Sequence, residues 1–244
     1  KISDNYFFSE KDLLNISGLK CWWYGNFAED NKKMIWFSSW FWEIYRINII
    51  NGKPYGFNIN YTVFSPQNKK LVGWSPRKLV FDINGHLWVG YFDAGLEEID
   101  PATNFNRRYY NGNNSVLRLS SDLIWTVFVS SKNEVYIGTD DAGFDVIDAQ
   151  RKGIKNYRKS PLSGKGLMSN SIRCFTEDKN GLIWIGTSGG GLSCFNPKNG
   201  NIDTWMVEDG LSNNVIYGIL IDGRNSLWCA TENGLSRFFP PIRI

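Results

Sequence analysis

Five copies of one aromatic-centred unit, a period in the forties and closely spaced turn signals predict an all-β fold. The architecture they imply is a β-propeller built from four-stranded antiparallel blades. Composition agrees. Of the 244 residues, 42% are hydrophobic and 16% aromatic, enough to fill a sizeable core and to exclude a disordered chain. The balance of 27 basic against 24 acidic residues lacks the strong bias expected of a nucleic-acid module.

The copies are read from their shared residues. Leu-Met-Ser-Asn-Ser-Ile at 167–172 leads to Asp-Lys-Asn-Gly-Leu-Ile-Trp-Ile-Gly-Thr at 178–187. Leu-Ser-Asn-Asn-Val-Ile at 211–216 leads in the same way to Asp-Gly-Arg-Asn-Ser-Leu-Trp-Cys-Ala-Thr at 222–231. Each then reaches Gly-Leu-Ser, at 191–193 and 234–236. Residues 82–90 and 130–139 repeat the unit, and 30–38 is its most worn copy. The anchor aromatics are Trp36, Trp88, Tyr136, Trp184 and Trp228, spaced by 52, 48, 48 and 44 residues.

Within the fourth copy, strands are expected at 171–177, 182–187, 192–195 and 201–207, parted by Asp, Asn, Gly and Pro. A single sheet cannot bury both faces, so blades must stack about 10 Å apart. A Trp in the second strand fills the wedge between neighbours. The small residue two positions on (Ser38, Gly90, Gly138, Gly186, Ala230) leaves room for the adjacent blade. These rings are therefore assigned to core packing and to no ligand.

The whole chain, 1–244, reads as one propeller domain. Its last unit supplies strands at 215–221, 227–231 and 235–239 and then stops, while 5–13 resembles a fourth strand and its loop. Residues 1–20 would then hold the closing strand of the last blade, giving a closed five-bladed ring; the alternative is an arc of a larger ring. The longest apolar runs, such as 216–221, fall short of the roughly 20 residues a membrane helix requires. The chain starts at Lys1 without a charged-then-apolar leader, as a mature or excised piece would.

The unit resembles the two-component regulator propeller repeat, over about residues 20–239, most sharply from Trp88 to Trp228 with Tyr136 replacing Trp. That resemblance implies the periplasmic sensor region of a hybrid two-component system, usually seven-bladed, which recognises oligosaccharides and signals to a cytoplasmic histidine kinase. The departures are the five recognisable units and the lack of the β-sandwich, transmembrane helix and kinase motifs that follow in that family. Contact with a membrane is expected only through such C-terminal segments.

Binding residues are sought where the repeat varies. The loops after the second and fourth strands should share the face at the channel mouth, and variable loops on a regular scaffold carry function. The bends after the second strand differ: 39–42 and 91–93 are aromatic, 140–142 and 232–233 acidic. Eight residues before the turn Asp, or Ser130 in its place, lie Trp22, Trp74, Asp122, Asn170 and Asn214; five before it lie Gly25, Arg77, Trp125, Arg173 and Tyr217. The candidate ligand-binding residues are thus Trp22, Trp40, Trp42, Arg77, Tyr91, Phe92, Asp93, Asp122, Asp140, Asp141, Asn170, Arg173, Asn214 and Tyr217. Rings beside Asp, Asn and Arg suit a carbohydrate, and two arginines favour uronate or sulfate groups. Against this, the tryptophans also suit a channel plug, and Asp122, Asn170 and Asn214 suit turn caps.

Catalytic, metal and cofactor sites are not expected. One histidine, His86, argues against histidine-based metal centres and triads, and no Cys-x-x-Cys links Cys21, Cys174, Cys194 and Cys229. Cys174 and Cys194 should sit in strands separated by a third, too far apart to bond. The Asp-Lys-Asn-Gly turns lack the spaced oxygen ligands of a calcium loop. Two other functions stay open: a protein-binding scaffold, commonly a homodimer, and a polysaccharide hydrolase or lyase using a carboxylate pair among Asp93, Asp140, Asp141 and Glu232.

Overall fold

Short runs of β-branched and aromatic residues, interrupted by Asp, Asn and Gly, can only fold back on themselves, and the chain does so repeatedly. The computed structural model describes residues 24–39, 44–47, 62–64, 75–103, 105–115, 117–159 and 166–240. They hold five antiparallel sheets in chain order. The first is β1 (Tyr24–Glu29), β2 (Ile35–Ser39), β3 (Ile44–Ile47) and β4 (Thr62–Phe64). The second is β5 (Pro76–Phe81), β6 (Leu87–Tyr91), β7 (Leu96–Asp100) and β8 (Phe105–Tyr109). The third is β9 (Ile124–Val129), β10 (Val135–Thr139), β11 (Phe144–Ile147) and β12 (Ile154–Tyr157).

The fourth sheet is β13 (Ile172–Glu177), β14 (Ile183–Thr187), β15 (Leu192–Phe195) and β16 (Ile202–Trp205). The fifth has three described strands, β17 (Ile216–Ile221), β18 (Leu227–Thr231) and β19 (Gly234–Phe238). In each sheet every strand pairs with the next in sequence, the up-and-down meander of a propeller blade. The expected closing strand at 5–13, together with Cys21, Trp22, Trp40, Trp42 and Trp74, lies outside the described residues.

One boundary moved. The strand expected at 201–207 ends at Trp205, and Val207–Asp209 forms a turn of 3-10 helix instead. Asp209 accepts a hydrogen bond from the Met206 backbone N–H at 2.9 Å, and Gly210, at φ 102°, ends the turn.

Turn chemistry repeats with the strands. The residue that ends each first hairpin turn is left-handed in all five sheets: Lys33, Gly85, Asn133, Gly181 and Asn225. Gly and Asn adopt that conformation most cheaply, and four of the five are one or the other. At the next bend the reason for glycine is space. A Cβ on Gly143 would lie 2.1 Å from the Tyr157 carbonyl oxygen, and one on Gly191 would lie 2.2 Å from that of Trp205.

Neighbouring sheets meet chiefly through their first strands, β1 with β5, then β9, β13 and β17, so these strands form the inner edge of the stack. The core lies in the seams. Trp88 packs with Ile124, Val135 and Ile137 of the third sheet, and Tyr136 with Ile172, Ile183 and Ile185 of the fourth. Trp184 packs with Ile216, Leu227 and Cys229 of the fifth. A Cβ on Gly90, Gly138 or Gly186 would sit 2.8 Å from Cγ2 of Ile124, Ile172 or Ile216 respectively, so each small residue does receive the neighbouring blade.

Candidate functional site

The second residue of each inner strand faces the same rim. In consecutive sheets these residues are Arg77, Trp125, Arg173 and Tyr217. The bend after the second strand folds beside them, because its first N–H bonds back to the segment leading into the inner strand. Phe92 N–H donates to the Ser75 carbonyl at 3.1 Å, Asp140 to Leu123 at 2.9 Å, and Ser188 to Ser171 at 2.9 Å. That repeated bond brings Phe92 and Asp140 onto the inner rim.

The result is a stack of alternating cations and rings. The Arg77 guanidinium carbon lies 5.0 Å from the ring centres of both Phe92 and Trp125. Phe92 meets Trp125 edge-on at 5.9 Å. Arg173 lies 3.8 Å over Trp125, and its Nη2 is 3.4 Å from Oδ1 of Asp140. The same Oδ1 accepts a hydrogen bond from the Ser171 hydroxyl at 2.8 Å. Guanidinium groups are attracted to the negative faces of indole and phenyl rings, most strongly when water is partly excluded. All five side chains are half-buried, while Asp93, Asp141 and Tyr217 are exposed near the same rim positions.

Trp125 is the centre of this arrangement, yet it stands outside the candidate binding set drawn from the sequence. Its equivalence to Arg77 and Arg173 by position was the available signal. Tyr91, by contrast, is a correction. It is the last residue of β6, wholly buried, and its hydroxyl donates to Glu97 at 2.7 Å, so it packs inside the second sheet.

Asp122, Asn170 and Asn214 act as inter-blade clasps. Their side-chain oxygens accept the backbone N–H groups of Asn111, Lys159 and Val207 at 2.7, 2.7 and 2.8 Å, just past the fourth strand of the preceding sheet. Their carbonyls accept Gly95, Gly143 and Gly191 N–H from the preceding bend. These bonds reach the preceding sheet, a longer span than the local turn cap the sequence suggested. Asp140 is engaged by Arg173 and by the Ser171 hydroxyl.

A second polar cluster lies at the hairpin turn of the second sheet. Asp82, His86 and Glu98 place ligand-type atoms within 4.8 Å of one another. Their oxygens already serve hydrogen bonds. Asp82 accepts from Trp88 Nε1 and from Arg151 Nη2, at 3.1 and 2.9 Å. Glu98 pairs with His86 Nδ1 at 2.8 Å and accepts from the Tyr109 hydroxyl at 2.7 Å. Arg151, from the third sheet, also covers the Trp88 ring at 4.8 Å, so this cluster ties two blades. Cys174 and Cys229 are free thiols.

Stacked meander sheets with a side-chain-lined inner rim define a β-propeller. Residues 166–189 and 210–233 match the two-component regulator propeller repeat. No relative is found among curated protein sequences. Among solved structures, it is similar to the extracellular domain of the hybrid two-component system BT3049 from B. thetaiotaomicron. The TM-score is 0.73 at 17% identity, over 93% of this chain and 30% of that one. The extracellular domain of the one-component system BT4673 from the same organism gives 0.72 at 18%, over 95% and 31%. Virginiamycin B lyase from Staphylococcus aureus gives 0.61 at 15%, over 89% and 69%. At these identities the shared property is the fold. The chain spans about a third of the length of the two extracellular domains.

Proposed function

We propose that this chain is the ligand-recognising part of an extracytoplasmic, periplasmic sensor that serves two-component signalling, and that it takes an oligosaccharide at the inner rim. The observation that carries the reading is the Arg77–Phe92–Trp125–Arg173 stack, where half-buried aromatic faces stand beside charged hydrogen-bond donors. Sugars present apolar ring faces to aromatics and hydroxyls to charged groups, so a rim of this make-up suits them. The regulator propeller repeats at 166–189 and 210–233 support the sensor part, as does the fold shared with two extracellular domains. The role is binding without catalysis.

The test is a glycan array probed with the purified protein, followed by titration of any positive glycan. Trp125→Ala and Arg77→Ala should each weaken binding by about tenfold or more, since a lost cation–π or stacking contact costs roughly 1–2 kcal/mol. Unchanged binding in both variants would falsify the inner-rim assignment.

A second reading, self-association as a scaffold, draws on a different surface. The outward face of the fifth sheet exposes Leu220, Leu235 and Phe239 at 66%, 60% and 65%. Sedimentation at increasing concentration tests it, and Leu235→Glu should shift any dimer to monomer.

A further inference from the structure

Among the described residues, the buried side-chain nitrogen and oxygen atoms that lack a hydrogen-bond partner number two, and both are on Arg173: Nε and Nη1. A guanidinium has five N–H donors and no acceptor capacity. Here one nitrogen reaches Asp140 at 3.4 Å, longer than a well-formed charge-assisted hydrogen bond, and that carboxylate oxygen is shared with Ser171. The rest of the group is pressed against Trp125 at 3.8 Å. Buried donors without partners are avoided in folded proteins, and on a charged group they cost the most. Arg77 brings a second guanidinium to the same indole. Within the stack the two guanidinium groups face one carboxylate, Asp140, while Asp93 and Asp141 are exposed in the same bends.

We infer that the rim seats an acidic group, a carboxylate or sulfate ester borne on an oligosaccharide, with Arg173 as donor and Arg77 adding positive charge across Trp125. This rests on the oligosaccharide reading above and narrows it to acidic glycans. An arginine matches planar carboxylate and sulfate acceptors better than a lysine does, because its donors are fixed in one plane. The sugar ring that bears the acid would lie against Phe92, a contact that a free anion cannot use.

The test titrates the chain at low ionic strength with three probes: a galacturonic acid trisaccharide, the neutral galactose trisaccharide and sodium sulfate. The acidic trisaccharide should bind about tenfold or more tighter than the neutral one, the scale of a hydrogen bond to a charged group. Arg173→Gln should erase that preference, and Arg173→Lys should keep part of it. Asp140→Asn, which releases Arg173 from its ion pair and keeps an acceptor for Ser171, should tighten acidic binding. This last variant keeps the inference open to refutation should Arg173→Gln fail to fold. Equal affinity for the two trisaccharides overturns the acidic-group inference and leaves the oligosaccharide reading standing. Binding of sulfate with both trisaccharides silent overturns the oligosaccharide reading. Silence from all three probes overturns the acidic seat.

Discussion

The indole N–H of Trp184 donates to Oδ2 of Asp178 at 3.1 Å, across the hairpin turn that separates β13 from β14. Oδ1 of the same Asp178 accepts the backbone N–H groups of Asn180 and Leu182, at 2.8 and 3.0 Å. One carboxylate therefore fixes both the turn and the ring that fills the seam. The pairing recurs as Asp30–Trp36, Asp82–Trp88 and Asp222–Trp228. The third sheet changes both partners together. Ser130 replaces the Asp and caps the turn by accepting Glu134 N–H at 3.1 Å, while the Tyr136 hydroxyl donates to Glu134 instead.

Asp178→Ala removes three hydrogen bonds, one of them to a buried indole, and should cost about 2–4 kcal/mol of stability. Trp184→Phe leaves the ring volume mostly in place and should cost about 1–3 kcal/mol. In urea unfolding the double variant should lose less than the sum of the singles, because both share one bond.

Seam packing predicts a contrast between two positions of equal rank. A Cβ on Gly186 would lie 2.5 Å from Cys174 Sγ as well as 2.8 Å from Ile216, so Gly186→Ala should cost about 1–3 kcal/mol by overpacking. Ala230 occupies the matching place in the fifth sheet and is exposed, so Ala230→Val should fall within about 0.5 kcal/mol of the parent. Thermal melts of the two variants decide the point.

Asn170 ties two sheets through its bond to the Lys159 backbone. Asn170→Ala should lower stability by about 1–2 kcal/mol through the lost Lys159 bond, while glycan titrations remain those of the parent. Altered binding at unchanged stability would return Asn170 to the ligand site.

Acid should loosen the fifth sheet. Hydrogen bonds from the Ser226 backbone and the Trp228 indole, with the nearby Arg237, hold the Asp222 carboxyl down to about 2. A depressed acid contributes stability that is fully present above its unfolded value, near 3.8, and is lost as pH falls through about 2. Melting temperature should therefore drop between pH 4 and pH 2 by more in the parent than in Asp222→Asn. Equal drops count against this role.

The buried thiols should be inert. Burial pushes Cys174 up to about 12 and Cys229 up to about 11. Since the thiolate is the reactive form, iodoacetamide at pH 8 should label both orders of magnitude more slowly than a free thiol, and quickly once the protein unfolds. Peptide mass mapping reads the difference.

Much of this architecture was legible because the repeat writes its fold five times. The anchors, the seam glycines Gly90, Gly138 and Gly186 and strands such as 192–195 and 227–231 lie where the sequence places them, while Ala230 is exposed. The site was legible only in part. Tyr91 stands where Thr ends the second strand of the three later sheets, and there Thr139 and Thr187 bond the carbonyls of Gly143 and Gly191. An aromatic at that place looks like loop variation. Its burial depends on Glu97 in the adjacent strand, a contact no local pattern displays. The six-residue Asp-to-Trp spacing was visible in four copies, but as a marker of register; that it is a hydrogen bond emerges only when the hairpin closes.

The seams between sheets have a consequence for cooperativity. Three of them join one blade to the next through a glycine and the isoleucine that enters it, so the described blades form a chain of nearest-neighbour couplings. Such a chain opens from where couplings are fewest, and weakening one link splits it into shorter arrays. The third sheet, like the second and fourth, has seams on both sides, and it bears Trp125, the centre of the rim stack. Hydrogen exchange should therefore be slower in β9 and β10 than in β18 and β19, which would place the proposed rim site on a late-opening part of the described residues.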